Sequence, residues 1–244
     1  MMQSWPVMSL KDAEAQLCVP GSRFEIGTAL INGRELRTWA RLPATIAELA
    51  REVQAEHGER EFLVFNDERI TYDGWFRAVA KLADHLVRQG VRQGGRVALA
   101  MGNLPEWPVA LFAAGLCGAI VVPLNAWWTG DELRYALDQS GSTLLLCDEE
   151  RLERLTAGDP AFTDRMKVIV SRSSRPDVAS LESVIGLPAG YGSLPVLPLP
   201  AVAMAPDDPL TIFYTSGTTG RPKGALGTHR NMLSGLLAGD FIAQ

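Results

Sequence analysis

Cysteine, histidine and surplus positive charge are scarce in this chain, and each scarcity closes off a class of function. Three cysteines (Cys18, Cys117, Cys147) give an odd count with no metal-ligand spacing. Cys117 and Cys147 lie inside apolar runs, the setting of buried, reduced thiols, and a cytoplasmic location is expected from them. Of the three histidines, His57 falls at an expected helix end and His85 on an amphipathic helix. Spacing gives neither of them a nucleophile or a metal partner. The net charge of −5, with no basic stripe, excludes a nucleic-acid surface. Gly-x-Ser-x-Gly is missing, which removes the serine-hydrolase elbow. A secretory leader is not expected, because Trp5-Pro6 interrupts the N-terminus and Lys11-Asp12 charges it. Internal repeats and low-complexity segments are absent as well.

One stretch imitates a membrane span. From Trp107 to Gly130 there is no charged side chain, with Trp107 at one end and Trp127-Trp128 at the other. Gly115, Gly118 and Pro123 interrupt it, and Ile120-Val121-Val122 is β-branched. It reads as a buried helix, a glycine break and a buried strand, not as a span.

Apolar sequence is what the chain has in quantity. With 47% apolar residues over 244 positions, it can bury roughly 70–75% of its unfolded surface, as one domain or two. Leu42 to Thr45 lead into a helix from Ile46 to His57, ended by Gly58. Phe62 to Phe65 and Arg69 to Thr71 read as a hairpin around Asn66-Asp67-Glu68. Asp73 is the expected cap of a helix that carries Phe76, Val79, Ala80, Ala83, Leu86 and Val87 on one face and ends at Gly90. Continuously apolar strands follow at Arg96 to Met101, Ala119 to Val122, Thr143 to Cys147, Lys167 to Ser171 and Leu210 to Tyr214. Helices alternate with them: one opened by Pro105, one under the capping box Thr129-x-x-Glu132 and stopped by Gly141, and one from Glu149 to Leu155. Such strands joined by helical crossovers imply an α/β fold, a mostly parallel sheet covered by helices on both faces.

Six prolines and three glycines between Gly186 and Pro209 read as an extended linker without regular elements. Thr228 is expected to cap a final helix with Met232, Leu233, Leu236 and Leu237 on one side. The chain thus divides into a peripheral segment (1–61), an α/β sheet subdomain (62–185), the linker (186–209) and a terminal strand, loop and helix (210–244).

The most informative segment is Ile212-Phe213-Tyr214-Thr215-Ser216-Gly217-Thr218-Thr219-Gly220-Arg221-Pro222-Lys223-Gly224. A buried strand empties into a loop of hydroxyls and glycines that ends in one lysine. Glycines let backbone N–H groups approach an anion, Thr215, Ser216, Thr218 and Thr219 can donate to phosphate oxygens, and Lys223 adds a point charge. Composition alone fits a polyphosphate cradle and an ordinary surface loop about equally well. A P-loop NTPase is disfavoured, since Arg221 and Pro222 stand between Gly220 and the lysine, and Gly224 follows it. The dinucleotide fingerprint Gly-x-Gly-x-x-Gly does not occur.

The same segment resembles, residue for residue, the phosphate-binding signature of the adenylate-forming superfamily: acyl-CoA synthetases, peptide-synthetase adenylation domains and beetle luciferases. Ile70-Thr71-Tyr72, Gly94-Gly95-Arg96-Val97, Ala114-Gly115 and Val122-Pro123-Leu124-Asn125 extend the resemblance, in order, over about residues 40–244. It implies part of the large N-terminal domain of such an enzyme. Lys223 would bind the β- and γ-phosphates of ATP, as the residue most directly tied to catalysis. Thr215, Ser216, Gly217, Thr218, Thr219 and Gly220 would supply hydroxyl and backbone donors to the same phosphates. The family often carries a histidine at the place of His229, with a positioning role; a structural histidine at a helix start is the favoured reading here. Trp127 and Trp128 read as core, with lining of an acyl site as the alternative.

Asn125-Ala126-Trp127-Trp128 departs from the Asp-Pro pattern of peptide-synthetase domains and looks more like ligases of fatty or aryl acids. The implied parent takes a small-molecule carboxylic acid, ATP with Mg2+, and CoA, with no nucleic-acid partner and no membrane span; a homo-oligomer is left open. Resembling enzymes place their adenine, ribose and Mg2+ groups and a C-terminal lysine after this loop. The 244-residue chain is therefore expected to be inactive alone, with Met1 to Glu61 and the final helix lacking packing partners. Without nucleotide, Thr215 to Lys223 should be mobile. The alternative from a different class is a non-catalytic nucleotide- or phosphate-binding module that uses only the loop.

Overall fold

The computed structural model describes residues 9–215 and 220–243, apart from the side chain of Leu10. Helix α1 (Leu10–Leu17) precedes the hairpin β1 (Ile26–Ile31) and β2 (Arg34–Trp39). Helix α2 (Ile46–His57) leads to a second hairpin, β3 (Glu61–Phe65) and β4 (Glu68–Thr71). Then come α3 (Tyr72–Arg88), β5 (Arg96–Ala100), α4 (Glu106–Leu116), β6 (Ile120–Pro123), α5 (Gly130–Ser140) and β7 (Leu144–Asp148). They are followed by α6 (Glu149–Ala157), α7 (Phe162–Arg165), β8 (Lys167–Ser171), β9 (Ala179–Ser180) and α8 (Leu181–Ile185). A 3-10 helix (Pro188–Ser193), β10 (Pro209–Thr215), β11 (Lys223–Thr228) and α9 (His229–Ile242) complete the chain.

The main sheet has seven strands in the order β11-β10-β6-β5-β7-β8-β9, all parallel except β11. The α/β expectation is borne out, and β9 and β11 are additions to the five expected strands. Alternate side chains of each strand feed two separate cores. Val97, Leu99, Val121, Leu144, Leu146 and Ile169 join α2, α3, α4 and α8 on one face. Ala98, Ala100, Val122, Leu145, Cys147, Val168 and Val170 meet α5, α6 and α7 on the other. Each large side chain taken out of water contributes about 1.5–3 kcal/mol, so neither face could be left open. Cys117 and Cys147 are free and buried, one in each core. Burial pushes the Cys117 thiol up to about 12 and that of Cys147 higher still, which keeps both protonated.

Several local expectations need correction. The cap of α3 is Thr71, whose hydroxyl accepts from the Gly74 amide at 3.1 Å; Asp73 sits in the first turn and accepts instead from Gln54 at 2.7 Å. The helix does end as expected, with Gly90 at φ +94° and the Val91 amide donating back to Leu86. The Pro/Gly-rich linker is not free of regular structure: its 3-10 helix buries Tyr191 completely, and Leu194, Leu199 and Met204 pack on the first core. Proline at the start of that helix loses no needed hydrogen bond, which is why composition alone misleads there. Nor do the N-terminal segment and the last helix lack partners. Phe24, Trp39 and Phe241 form an aromatic cluster, Trp39 donates its indole N–H to the Ser234 carbonyl at 3.3 Å, and Arg23 pairs with Asp240 at 2.9 Å.

The order β6-β5-β7 places a topological switch point at the ends of β5 and β7. There Asp148, the N-cap of α6, accepts from the amides of Gly102 (2.8 Å) and Arg151 (3.0 Å) and pairs with the Arg151 guanidinium at 3.0 Å. Both side chains are buried. Arg151 continues to the Ala126 carbonyl at 2.9 Å, so one buried cluster ties the ends of three strands together. Without Asp148, the buried Arg151 guanidinium keeps only the exposed Glu150 carboxylate, at 2.8 Å, as a counter-charge. We expect Asp148→Ala to lower the unfolding free energy by about 3–5 kcal/mol, read as a shifted urea midpoint at unchanged m-value.

Candidate functional site

The hairpin of β10 and β11 carries the phosphate-type segment. β10 joins the sheet through Thr211 opposite Val121 of β6, and β11 returns antiparallel beside it. The chain was expected to pass from the loop straight to the final helix; it instead forms an edge strand first. Gly224 and Gly227 make this possible. A Cβ on Gly224 would lie 2.7 Å from Ile212 Cγ2, and one on Gly227 would lie 2.8 Å from Thr211 Oγ1. The β-branched residues of β10 fill the space that the glycines of β11 leave.

Because β10 runs parallel to β6, the hairpin turn projects from the C-terminal edge of the sheet, where open α/β sheets bind ligands. Thr215 and Lys223 are cross-strand partners, and the Thr215 hydroxyl donates to the Lys223 carbonyl at 3.5 Å. Both side chains are exposed, and Lys223 has no ion-pair partner among the described residues. Gly220 lies on the returning arm at φ +114°. Ser216, Gly217, Thr218 and Thr219 lie outside the described residues, and with them the expected mobility of the turn. The structure thus brings Thr215 and Lys223 together at the mouth of the turn.

Each end of the turn touches α5. The Tyr214 hydroxyl donates to the Ala136 carbonyl at 3.1 Å and meets the Gln139 amide, while the ring packs edge-on against Trp128 at 5.8 Å. The Arg221 guanidinium stacks 4.9 Å from the centre of the Tyr135 ring. Sequence reasoning did not single out Tyr135, Gln139 or Arg221. Tyr135 and Gln139 are one helical turn apart, which marks a shared face, but nothing in the sequence says that this face meets β10.

Behind the hairpin, Thr228 caps α9 in a capping box with Asn231, as expected for the cap itself. Asp207 pairs with Arg230 through both carboxylate oxygens at 2.7 and 3.0 Å, which seats the start of α9 on the chain entering β10. His229 is only 1% exposed, and its Nδ1 accepts from the Ile46 amide at 3.1 Å, the first orphan N–H of α2. The structural reading of His229 holds.

Residues 50–243 match the family model described as AMP-binding enzyme. The chain belongs to this family. Over 202 residues it is 34% identical to a methyl-dioxo-octahydroindenyl-propanoyl:CoA ligase of Mycobacterium tuberculosis, covering 82% of this chain and 38% of that protein. A feruloyl-CoA synthase from an Amycolatopsis species is 36% identical over 163 residues, covering 67% and 29%. Among solved structures, a Mycobacterium tuberculosis fatty acyl CoA synthetase aligns with a TM-score of 0.60 at 26% identity, covering 76% of this chain and 34% of that one. The chain therefore spans less than two fifths of the length of these curated relatives. The resemblance read from the loop and its upstream segments is that of a true family member.

Two further expectations meet the structure of this AMP-binding chain. Trp127 is not core: it is 84% exposed, on a turn fixed by its amide donating to Asn125 Oδ1 at 2.9 Å, whereas Trp128 packs on the second core. No helix among the described residues is long and apolar enough to cross a membrane. The stretch from Trp107 divides instead into α4, a turn and β6, as expected. No group of three or more His, Cys, Asp or Glu among the described residues is placed to hold a metal ion.

Burial holds the His229 imidazole below its ordinary range, against a smaller opposing effect of Asp208. The unfolded chain takes up this proton near pH 6.5, and the native state does so only at lower pH. The stability that neutral His229 contributes is thus complete above about pH 6.5 and is lost as the pH falls from there toward the native value. His85, also lowered by burial, acts in the same direction. We expect thermal stability to fall between pH 7.5 and 5.5, and His229→Gln to flatten that fall by up to about 1.4 kcal/mol per pH unit. Parallel pH–stability curves for the two proteins would exclude His229 as a source.

Proposed function

We propose that this chain is the N-terminal portion of an ATP-dependent acyl-CoA ligase. The observation that carries the reading is Lys223, an exposed ammonium without an ion-pair partner among the described residues, set opposite Thr215 at the mouth of a turn rich in donors, on the ligand edge of the sheet. In the proposed reaction, an oxygen of a carboxylic acid attacks the α-phosphorus of ATP, the bond to the bridging oxygen breaks, and pyrophosphate leaves with that electron pair. Negative charge grows on the leaving group. Lys223, the hydroxyls of Thr215, Ser216, Thr218 and Thr219, and the amides of Gly217 and Gly220 would stabilise it. In the second step, the thiol of CoA attacks the acyl carbonyl and AMP departs.

Mg2+ would arrive with the nucleotide; the described residues hold no cluster of three or more His, Cys, Asp or Glu for it. The relatives' names, which include feruloyl-CoA and long-chain-fatty-acid–CoA ligases, support a small carboxylic acid as substrate without selecting one. Groups for adenine, ribose and metal, and a C-terminal lysine, belong by family resemblance to segments after this loop. We accordingly propose that the 244-residue chain alone does not form acyl-AMP. Buried, reduced cysteines support a cytoplasmic location. The four-part division at residues 61, 185 and 209 is kept as a proposal.

Removing a donor that acts in the transition state costs about 10²–10³ in rate. In the full-length parent, Lys223→Ala should slow acid-dependent ATP–pyrophosphate exchange by that order while leaving the melting temperature unchanged. Exchange at the wild-type rate would remove Lys223 from the mechanism. Loop-dependent nucleotide binding without any acid-dependent exchange by the parent would favour a non-catalytic module.

A further inference from the structure

We infer that α5 is a fixed seat for the phosphate-binding turn, with Tyr135 and Gln139 as positioning residues. The inference rests on the functional reading above and deepens it. Its starting point is that both ends of the turn touch the same face of the same helix. Tyr214, the last residue but one before the turn's described gap, reaches Ala136 and Gln139; Arg221, on the returning arm, stacks on Tyr135. Positions 135, 136 and 139 share one helical stripe, since residues four apart lie one above the other.

The seat is rigid for identifiable reasons. Thr129 and Glu132 close a full capping box at the start of α5, and Gly141 closes its end in the left-handed conformation at φ +64°. Leu133, Ala136 and Leu137 are anchored in the second core. Arg134, one residue from the seat, donates to the Leu155 carbonyl of α6 at 2.6 Å. By contrast, the hairpin's other flank is an edge: β11 has no further strand beside it among the described residues, and Ala225 and Leu226 are exposed. Ladder hydrogen bonds fix the spacing of β10 and β11 but leave the pair free to twist about the sheet edge. Two contacts to α5, one from each arm, remove that freedom and set the direction in which Thr215 and Lys223 present their donors.

The contacts differ in kind. Tyr214 has one hydroxyl proton, and both the Ala136 carbonyl and Gln139 Oε1 stand within its reach as acceptors. Arg221 is held by the face of the Tyr135 ring. Arg221 is therefore assigned to anchoring, although a cation between Gly220 and Lys223 invites a phosphate-binding role.

The test is steady-state adenylation by the full-length protein with Tyr135→Ala, Tyr135→Phe, Gln139→Ala and Lys223→Ala. Both seat residues lie at the surface, Tyr135 half-buried and Gln139 exposed, so the variants should fold, and melting temperatures check that. Misplacement of a catalytic group by about 1 Å can cost up to 10²-fold. We expect Tyr135→Ala and Gln139→Ala each to lower kcat for acyl-AMP formation by about tenfold, with KM for the acid unchanged. Tyr135→Phe, which keeps the ring under Arg221, should restore the wild-type kcat. Arg221→Ala combined with Tyr135→Ala should be no worse than either alone, as expected for two halves of one contact. If Lys223→Ala is impaired but both seat variants keep the wild-type kcat, the seat is overturned while the ligase reading stands. Equal loss in Tyr135→Ala and Tyr135→Phe would also overturn it. Full activity of Lys223→Ala would overturn both.

Discussion

A parallel strand in the middle of a sheet has two apolar faces, and both must be taken out of water. That requirement organises this molecule. Leu99 and Leu146 cannot be buried by the same helices that bury Ala98 and Leu145, so the crossovers are divided between the two sides of the sheet. Once α4 is committed to one face, α5 and α6 must cover the other. The crossover of α5 carries it past β10, and the neighbourhood of the phosphate-type turn follows from that packing. Neither Tyr135 nor Tyr214 is conspicuous until the sheet places them together.

The site also shows how polar groups can be spent in two opposite ways within one fold. Asp148 and Arg151 are buried, fully engaged and structural; they close the switch point that an α/β sheet would otherwise open to a ligand. Thr215 and Lys223 are exposed on β10 and β11, three and four places from β7 in the sheet, and among the described residues the lysine has no ion-pair partner. A charge engaged in the fold and a charge left exposed differ here in their partners. His229 belongs with the first kind: it satisfies the amide that opens α2, so the helix after the turn and the helix near the N-terminus are joined through one neutral imidazole.

Much of the scaffold was legible in the residues. The apolar runs at Arg96, Ala119, Thr143 and Lys167, the capping box at Thr129 and the glycines at 90 and 141 are local signals. Local signals survive because strand burial, helix caps and left-handed turns depend on a few adjacent side chains. β11 was not legible. Lys223-Gly224-Ala225-Leu226-Gly227-Thr228 has little strand propensity of its own, and its glycines fit the strand because Ile212 and Thr211 occupy the space where their Cβ atoms would lie. The 3-10 helix with Tyr191 was hidden in the same way, by prolines that usually signal the lack of structure. Asp73 looked like a cap because its type fits, while Thr71 had the right backbone conformation to be one.

By itself, then, the sequence determined the order and type of most elements, the two-faced parallel sheet, and a donor-rich turn ending in lysine whose pattern marks the AMP-binding family. Tertiary structure alone decided which edge of the sheet bears that turn, that Lys223 opens a strand and stands opposite Thr215, that α5 supports both arms, and that Trp127 faces solvent while Trp128 does not. The physical reason is range. Caps, periodicities and glycine turns are settled within a few residues of chain, whereas the seat of a turn is settled by helices and strands tens of residues apart, whose mutual packing depends on both cores being filled at once.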